Sequence, residues 1–280
     1  MHEVILSVGI DIGTSTTQLI FSRLTIENRA SSYTVPRIDI VDKEVIYRSK
    51  IYFTPLRSAT EIDAEAVKRI VREEYQAAGM TPEMLRTGAV IITGETARKE
   101  NANEVLEALS DLAGDFVVAT AGPDLESVLS ARGAGTDALS KEKRTAIANV
   151  DIGGGTTGLA ILKGGEVVQV EDEPTGGTHL SLVLAGNYHV PFAEAEEIKQ
   201  DYSRHKEILP VLKAVVEKIA TIINRYVKGK DIDTIYLCGG TCCLTGIEKI
   251  IEKETGIKTV KPENPFLVTP AGIAMNCQPA

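Results

Sequence analysis

A chain of 280 residues with 43% apolar residues is long enough for two modest cores or one large one, and its net charge of −9 disfavours nucleic acid and anionic lipid as partners. Its apolar runs stop short of the roughly 20 residues that span a membrane, and Met1–Ile10 lacks the basic start and long apolar middle of a leader peptide. Cys238, Cys242, Cys243 and Cys277 have no C-x-x-C spacing, so neither a zinc site nor a disulfide framework is expected, and reduced thiols in cytoplasm are the simple reading.

The first strand enters Asp11-Ile-Gly-Thr-Ser-Thr-Thr-Gln18 and apolar character resumes beyond it, which reads as a hairpin with a tight turn. Residues 30–53 alternate as strands, and Glu61–Ala78 reads as a helix stopped by Gly79; together they form a small insertion, about 30–80, on a first lobe. Ala89–Thr93, the helix Asn103–Ala113 and Phe116–Thr120 make a β-α-β unit. Pro123–Arg132 is a short helix closed by Gly133, followed by a polar, charged stretch at Thr136–Arg144. The first lobe is expected to end near residue 145. A second lobe, 146–268, opens with strands Ala146–Asp151, Gly158–Leu162 and Glu166–Val170 and is helical from Gly177 to Gly229, with Pro191 and Pro210 marking helix starts. Asp233–Cys238 is a last core strand leading into a glycine-rich loop and the helix Ile247–Lys253. A small-residue helix over Thr269–Asn276 returns toward the first lobe.

The organising feature is an echo. Asp11–Gln18 returns 140 residues later as Asp151-Ile-Gly-Gly-Gly-Thr-Thr-Gly158, with five of eight positions identical. A nucleotide triphosphate needs many inward N–H groups and hydroxyls and a metal ion to share its charge. Gly13, Thr14, Ser15 and Thr16 in one turn, and Gly153, Gly154, Gly155, Thr156 and Thr157 in the other, are the candidate phosphate donors, because glycine lets backbone approach closely. Asp11 and Asp151 are the candidate metal carboxylates; magnesium takes oxygen ligands and keeps most of its waters, so they would hold it through those waters or polarise an attacking one. Two ordinary hairpin turns are the plain alternative for either copy alone, and the repetition argues against it. No G-x-x-x-x-G-K-[ST] loop is present, so the nucleotide site is not of the P-loop kind.

Weaker candidates complete the site. Gly239-Gly240-Thr241 follows a strand and precedes a helix, where bare backbone could admit an adenine or ribose edge, or simply permit close strand–helix packing. Glu196 and Lys199 share a helical face, as ribose and adenine or phosphate ligands or as a solvated ion pair. Glu126 is the candidate general base or water-positioner, with Asp124 in reserve.

Two Asp-Gly hairpins, a short Gly/Ala-rich helix, a glycine-rich loop and a small-residue C-terminal helix, in that order, resemble the superfamily of actin, sugar kinases and heat-shock chaperone ATPases. The resemblance implies an α/β, actin-like (ribonuclease H-like) fold of two lobes with a nucleotide cleft between them, ATP or ADP and Mg2+ as cofactors, and the helices at 126–133 and 269–276 as the lobe connectors. Residues 1 to about 150, with VGIDIGTSTTQLIFSRL, GAVIITGETARKENA and GDFVVATAGPDLESVLSARGAG, resemble the EutA family of ethanolamine ammonia-lyase reactivating proteins. From about 150 onward, DIGGGTTGLAILKGGEVV, PTGGTHLSLVLAGN, CGGTCCLTGIEK and NPFLVTPAGIA resemble the EutJ family of ethanolamine-utilization chaperones. The chain departs from the chaperone pattern in carrying Gly122-Pro-Asp-Leu-Glu126 where an Asp/Asn-Glu-Pro-Thr run usually opens the first connector.

These resemblances imply an ATP-dependent chaperone or reactivating factor and a weak ATPase, whose client is ethanolamine ammonia-lyase or another ethanolamine-utilization protein. They place it in the cytoplasm, with association with a bacterial microcompartment, and give it no nucleic-acid or membrane partner. The alternative reading, motivated by the altered connector, is a nucleotide-gated scaffold that binds ATP without significant hydrolysis. A small kinase is the third.

Overall fold

The computed structural model describes residues 2–13, 16–28, 38–58, 61–93, 101–113, 117–120 and 123–276. It divides into two compact units, residues 1–122 with 270–280, and residues 123–269. This division falls at Pro123 rather than near residue 145, because the helix that starts there belongs with the second sheet, as its hydrogen bonds below show.

In the first unit, β1 (His2–Ile12) is flanked by antiparallel β2 (Thr16–Asn28) and β3 (Ile38–Arg48) on one side and by parallel β5 (Thr87–Ile92) and β6 (Val117–Thr120) on the other; the short β4 (Tyr52–Phe53) pairs with β2. The sheet order is β3-β2-β1-β5-β6. In the second unit β7 (Ala146–Ile152), β8 (Thr157–Lys163), β9 (Glu166–Glu173), β10 (Ile232–Cys238) and β11 (Lys258–Val260) follow the order β9-β8-β7-β10-β11, again an antiparallel meander of three beside two parallel strands. The echo in the sequence is therefore a repeated topology.

Side-chain alternation on the two central strands decides what faces what. Val8, Ile10 and Ile12 point into a core shared with Val67 and Val71 of α1 (Ala64–Ala78) and Val105 and Leu109 of α2 (Ala102–Ala113). Ala148, Val150 and Ile152 point into the second core, against α5 (Gly177–Tyr188), α6 (Phe192–Gln200), α7 (His205–Val227) and α8 (Ile247–Thr255). Each large side chain fully buried there stabilises by roughly 1.5–3 kcal/mol. The odd positions, Ser7, Gly9 and Asp11 on β1 and Asn149 and Asp151 on β7, face the other way. On that face of β1 lies α9 (Val268–Asn276): the Ser7 hydroxyl donates to the Ala274 carbonyl at 2.7 Å, and a Cβ on Gly9 would come within 2.5 Å of the Ala274 nitrogen. On that face of β7 lies α3 (Pro123–Gly133), where Asn149 Nδ2 donates to Ser130 Oγ at 3.1 Å.

Local differences from the sequence reading have identifiable causes. Helix α1 starts at Ala64 because the Asp63 carboxylate accepts from the Ala66 N–H, and it ends where Gly79 turns left-handed. The stretch after α3 is a helix, α4 (Thr136–Lys143); its buried positions are Thr136 and Ser140, polar residues that leave no apolar stripe to read. Pro210 does not start a helix but lies inside α7, whose start is moved back a turn by buried His205. The His205 Nδ1 accepts from the Thr245 N–H at 3.1 Å, which leaves Nε2 to donate to the Lys199 carbonyl at 3.0 Å. Among the described residues no helix is long and apolar enough to cross a membrane.

Candidate functional site

The two hairpins close in the same way. In the first, Asp11 pairs with Gln18 and Ile12 with Thr17, and the Gly13 N–H donates to the Thr16 carbonyl at 2.8 Å. In the second, Asp151 pairs with Gly158 and Ile152 with Thr157, and the Gly153 N–H donates to the Thr156 carbonyl at 3.0 Å. Thr14 and Ser15 lie outside the described residues. Both aspartates are buried, and each carboxylate is oriented by a threonine hydroxyl: Thr93 donates to Asp11 Oδ1 at 2.9 Å, and Thr269 to Asp151 Oδ2 at 2.7 Å. Burial pushes the Asp151 carboxyl above its ordinary range, against hydrogen bonds from Thr269 and Ser130 that pull it down. A neighbouring cation would relieve that desolvation, and hard carboxylate and hydroxyl oxygens suit magnesium. Among the described residues no three acidic, His or Cys side chains gather as a metal cage, so a magnesium ion here would take water and phosphate oxygens beside them.

Around the second hairpin the other expected residues of that unit converge. The Gly153 carbonyl accepts from the Gly177 N–H and the Thr241 hydroxyl, both at 2.9 Å, and the Gly154 carbonyl accepts from the Thr178 N–H at 2.8 Å. The turn is thus pinned onto the start of α5. Lys199 donates to Glu196 Oε1 at 2.7 Å, Ser181 Oγ at 2.8 Å and the Gly177 carbonyl at 3.2 Å. Burial lowers its pKa, while Glu196 holds the charge in place. The pair is therefore a buried brace between α6 and α5 rather than a solvated surface pair, and it stands beside the hairpin: a Cβ on Gly177 would lie 2.4 Å from Thr241 Oγ1, 3.3 Å from Lys199 Nζ and 3.4 Å from the Gly153 carbonyl oxygen.

The glycine loop is held tightly. Gly239 has φ +88 and ψ 163, and a Cβ there would fall 2.3 Å from Asp151 Oδ1 and 2.6 Å from the Ile152 carbonyl oxygen. A Cβ on Gly240 would meet the Phe266 ring at 2.6 Å. Close packing against Asp151 is thus one demonstrable use of these glycines. Burial raises the pKa of Cys238, Cys242 and Cys243, which makes them poor nucleophiles.

Glu126 is half-buried on α3, one turn before Ser130 and on the same face. Its neighbour Ser127 faces the second hairpin, since a Cβ on Gly158 would come within 2.7 Å of the Ser127 hydroxyl. The structure adds residues that sequence reasoning did not assign: Ser130 and Thr269 on the Asp151 carboxylate, Thr93 on Asp11, and Gly176-Gly177-Thr178 with Ser181 around the turn. A Cβ on Gly176 would collide with the Gly153 and Gly154 carbonyls and the Thr156 nitrogen, all within 2.9 Å. Pro174-Thr-Gly-Gly-Thr178, a glycine pair between a strand and a helix, was the available signal. The hydroxyl partners carry none, being single residues far along the chain.

The model of the family described as ethanolamine utilisation protein EutA matches residues 3–238. The ethanolamine ammonia-lyase reactivase EutA of Salmonella typhimurium is 47% identical over 182 residues, which are 65% of this chain and 39% of that protein, so the chain spans about two-fifths of that relative's length. The solved structure of ethanolamine utilization protein EutJ from Carboxydothermus hydrogenoformans is 31% identical, with a TM-score of 0.67 over 96% of this chain and 88% of that one. Both likenesses run across residue 150. The structure of MreB5 of Spiroplasma citri bound to AMPPNP, 17% identical with a TM-score of 0.61 over 96% of this chain and 95% of that one, is similar in fold. The fold is that of the actin-like ATPases.

Proposed function

The chain belongs to the EutA family of ethanolamine utilisation proteins, and on that premise we propose that it is an ATP-binding chaperone or reactivating factor whose client is ethanolamine ammonia-lyase. The observation that carries this reading is the same phosphate-type hairpin built twice, each with a buried aspartate aimed by a threonine hydroxyl. In this reading Gly13, Thr14, Ser15 and Thr16, and Gly153–Thr157, donate to nucleotide phosphates. Asp11 and Asp151 face the accompanying magnesium, which shares the phosphate charge when bound. Gly239, Gly240 and Thr241 frame the nucleoside, Glu196 and Lys199 supply polar groups beside it, and Glu126 orients the attacking water.

The chain's own residues account for the electrostatics of such a site. A carboxylate kept ionised while buried is a standing cost that a cationic ligand offsets, so Asp151 favours the metal-bound nucleotide over the bare anion. The brace through Lys199, Ser181 and Gly177 holds the hairpin's supporting helix in place before any ligand arrives, and a preorganised site spends less of its binding energy on ordering itself.

Titration calorimetry with Mg-ATP on the wild type and Asp151→Ala, followed by phosphate release on the same samples, tests the assignment. Loss of binding in the variant is expected; equal heats and equal turnover would remove Asp151 from the site. Binding without phosphate release would move the reading to a nucleotide-gated scaffold. Association with ethanolamine ammonia-lyase should differ among ATP, ADP and no nucleotide, and equal association in all three would refute the switch.

A further inference from the structure

Residues 48–57 of the first unit reverse the usual arrangement of a surface segment. Its uncharged polar side chains point inward: Ser49 Oγ accepts from the Leu19 N–H at 2.9 Å, Tyr52 donates its hydroxyl to the buried Glu74 carboxylate, and Thr54 Oγ1 donates to the Gly13 carbonyl at 2.7 Å. Its large apolar side chains point outward, with Ile51, Phe53 and Leu56 exposed at 53%, 59% and 45%. Backbone pairing of Tyr52 and Phe53 with Thr17 and Thr16, and of the Asp63 N–H with the Pro55 carbonyl at 2.9 Å, holds the segment in this orientation. Three exposed large apolar residues within six positions, on a frame held by backbone bonds, mark an interaction surface.

Charge says what covers it. Arg48, Lys50 and Arg57 interleave with the apolar residues, +3 within ten residues of a chain whose net charge is −9; Glu61 and Asp63 lie across the Leu56–Ile62 bridge from the Arg57 end, so the cationic excess sits at Arg48 and Lys50. Arg57 has a long, exposed approach to Asp63 at 3.9 Å, worth little in water, and no salt bridge ties up Arg48 or Lys50 among the described residues. Two copies of this face would set like charges against each other, which disfavours a symmetric self-contact.

We propose that residues 48–57 form a docking surface for an acidic protein segment that places apolar side chains between its carboxylates, with Phe53 and Ile51 as the apolar anchors and Arg48, Lys50 and Arg57 as the cationic rim. That the client lyase supplies this segment rests on the ethanolamine-utilisation reading above. Aromatic anchors ringed by polar groups carry most of the energy in such interfaces, and the rim sets the on-rate and the salt dependence.

The test uses a fluorescent peptide of alternating leucine and glutamate, its leucine and lysine counterpart, and purified ethanolamine ammonia-lyase, against the wild type, Phe53→Glu and the double variant Arg48→Glu/Lys50→Glu. The changed residues are exposed, and an unchanged thermal midpoint shows that the fold is kept. The acidic peptide should bind the wild type and weaken at least about tenfold in both variants, with affinity falling as salt rises; the basic peptide should not bind. Equal binding of the acidic peptide to wild type and Phe53→Glu, or no binding to the wild type, overturns the proposal. So does a change of oligomeric state caused by Phe53→Glu alone, which would make the face a contact between copies. Lyase binding should be lost in the same variants. A peptide that behaves as expected while the lyase ignores the wild type refutes the choice of client, not the surface.

Discussion

Replacing Gly239 by alanine probes the fit between the glycine loop and the Asp151 carboxylate. At φ +88 and ψ 163 the backbone lies in a region essentially reserved for glycine, which costs a side-chain-bearing residue on the order of 1–3 kcal/mol. The added methyl also lands 2.3 Å from Asp151 Oδ1 and 2.6 Å from the Ile152 carbonyl oxygen. Asp151 is tied to Thr269, and Ile152 is backbone in the central strand, so neither yields cheaply; overpacking of this kind costs about a further 1–3 kcal/mol. Gly256 is the control. It is also left-handed, at φ +69 and ψ 10, but a Cβ there meets nothing within 4 Å, leaving only the roughly 1 kcal/mol conformational penalty. Urea denaturation followed by circular dichroism should therefore show Gly239→Ala less stable than Gly256→Ala by about 1–5 kcal/mol. Only the first should also lose the Mg-ATP heat, because its methyl displaces Asp151. Two variants within about 0.5 kcal/mol of each other would refute the collision argument.

Three further outcomes follow from the ionisable groups. Asp151→Asn should raise stability at neutral pH while abolishing Mg-ATP binding: a carboxyl whose folded-state pKa is raised contributes stability fully below its ordinary value of 3.8, and that contribution is lost as pH rises through the folded value. A thermal midpoint at pH 7 below that of wild type would contradict this. Tyr47 and Tyr52 both donate to Glu74, which with burial raises their pKa values to about 12, so absorbance titration at 295 nm should show, among several late tyrosines that include buried Tyr75, two that Glu74→Gln returns toward 10. The stability they contribute is complete below pH 10 and disappears as pH rises toward 12. Lys199→Met leaves Glu196 buried without its cation and should cost about 3 kcal/mol in chemical denaturation; adding Glu196→Gln should recover most of it, and no recovery would mean the pair is not coupled.

The repeated Asp-Ile-Gly turn announced both hairpins because a tight hairpin turn favours small and hydroxyl residues whatever surrounds it, and that preference is local. The helix at 64–78 and the β-α-β unit were legible for a similar reason: apolar period, Asp63 cap and Gly79 stop lie within one stretch of chain. Helix α4 was not, since its buried residues are Thr136 and Ser140, whose hydroxyls reach the Ala131 and Thr145 carbonyls. Pro210 misled as a helix start because the turn before it is held by His205 bonding to Thr245, forty positions away.

By itself the sequence determined where the Asp-Ile-Gly turns are, that there are two of them, and which acids stand at their mouths. Tertiary structure alone decided that the strands around both turns run in the same order, that Thr93 and Thr269 aim the two carboxylates, that Lys199 is a buried brace, and that Gly239 is there to clear Asp151. The physical reason is range. Turn and cap preferences are set by a residue's own backbone and its next few neighbours, whereas desolvation, hydroxyl partners and steric clearance depend on atoms that the fold brings in from 82 and 118 positions away.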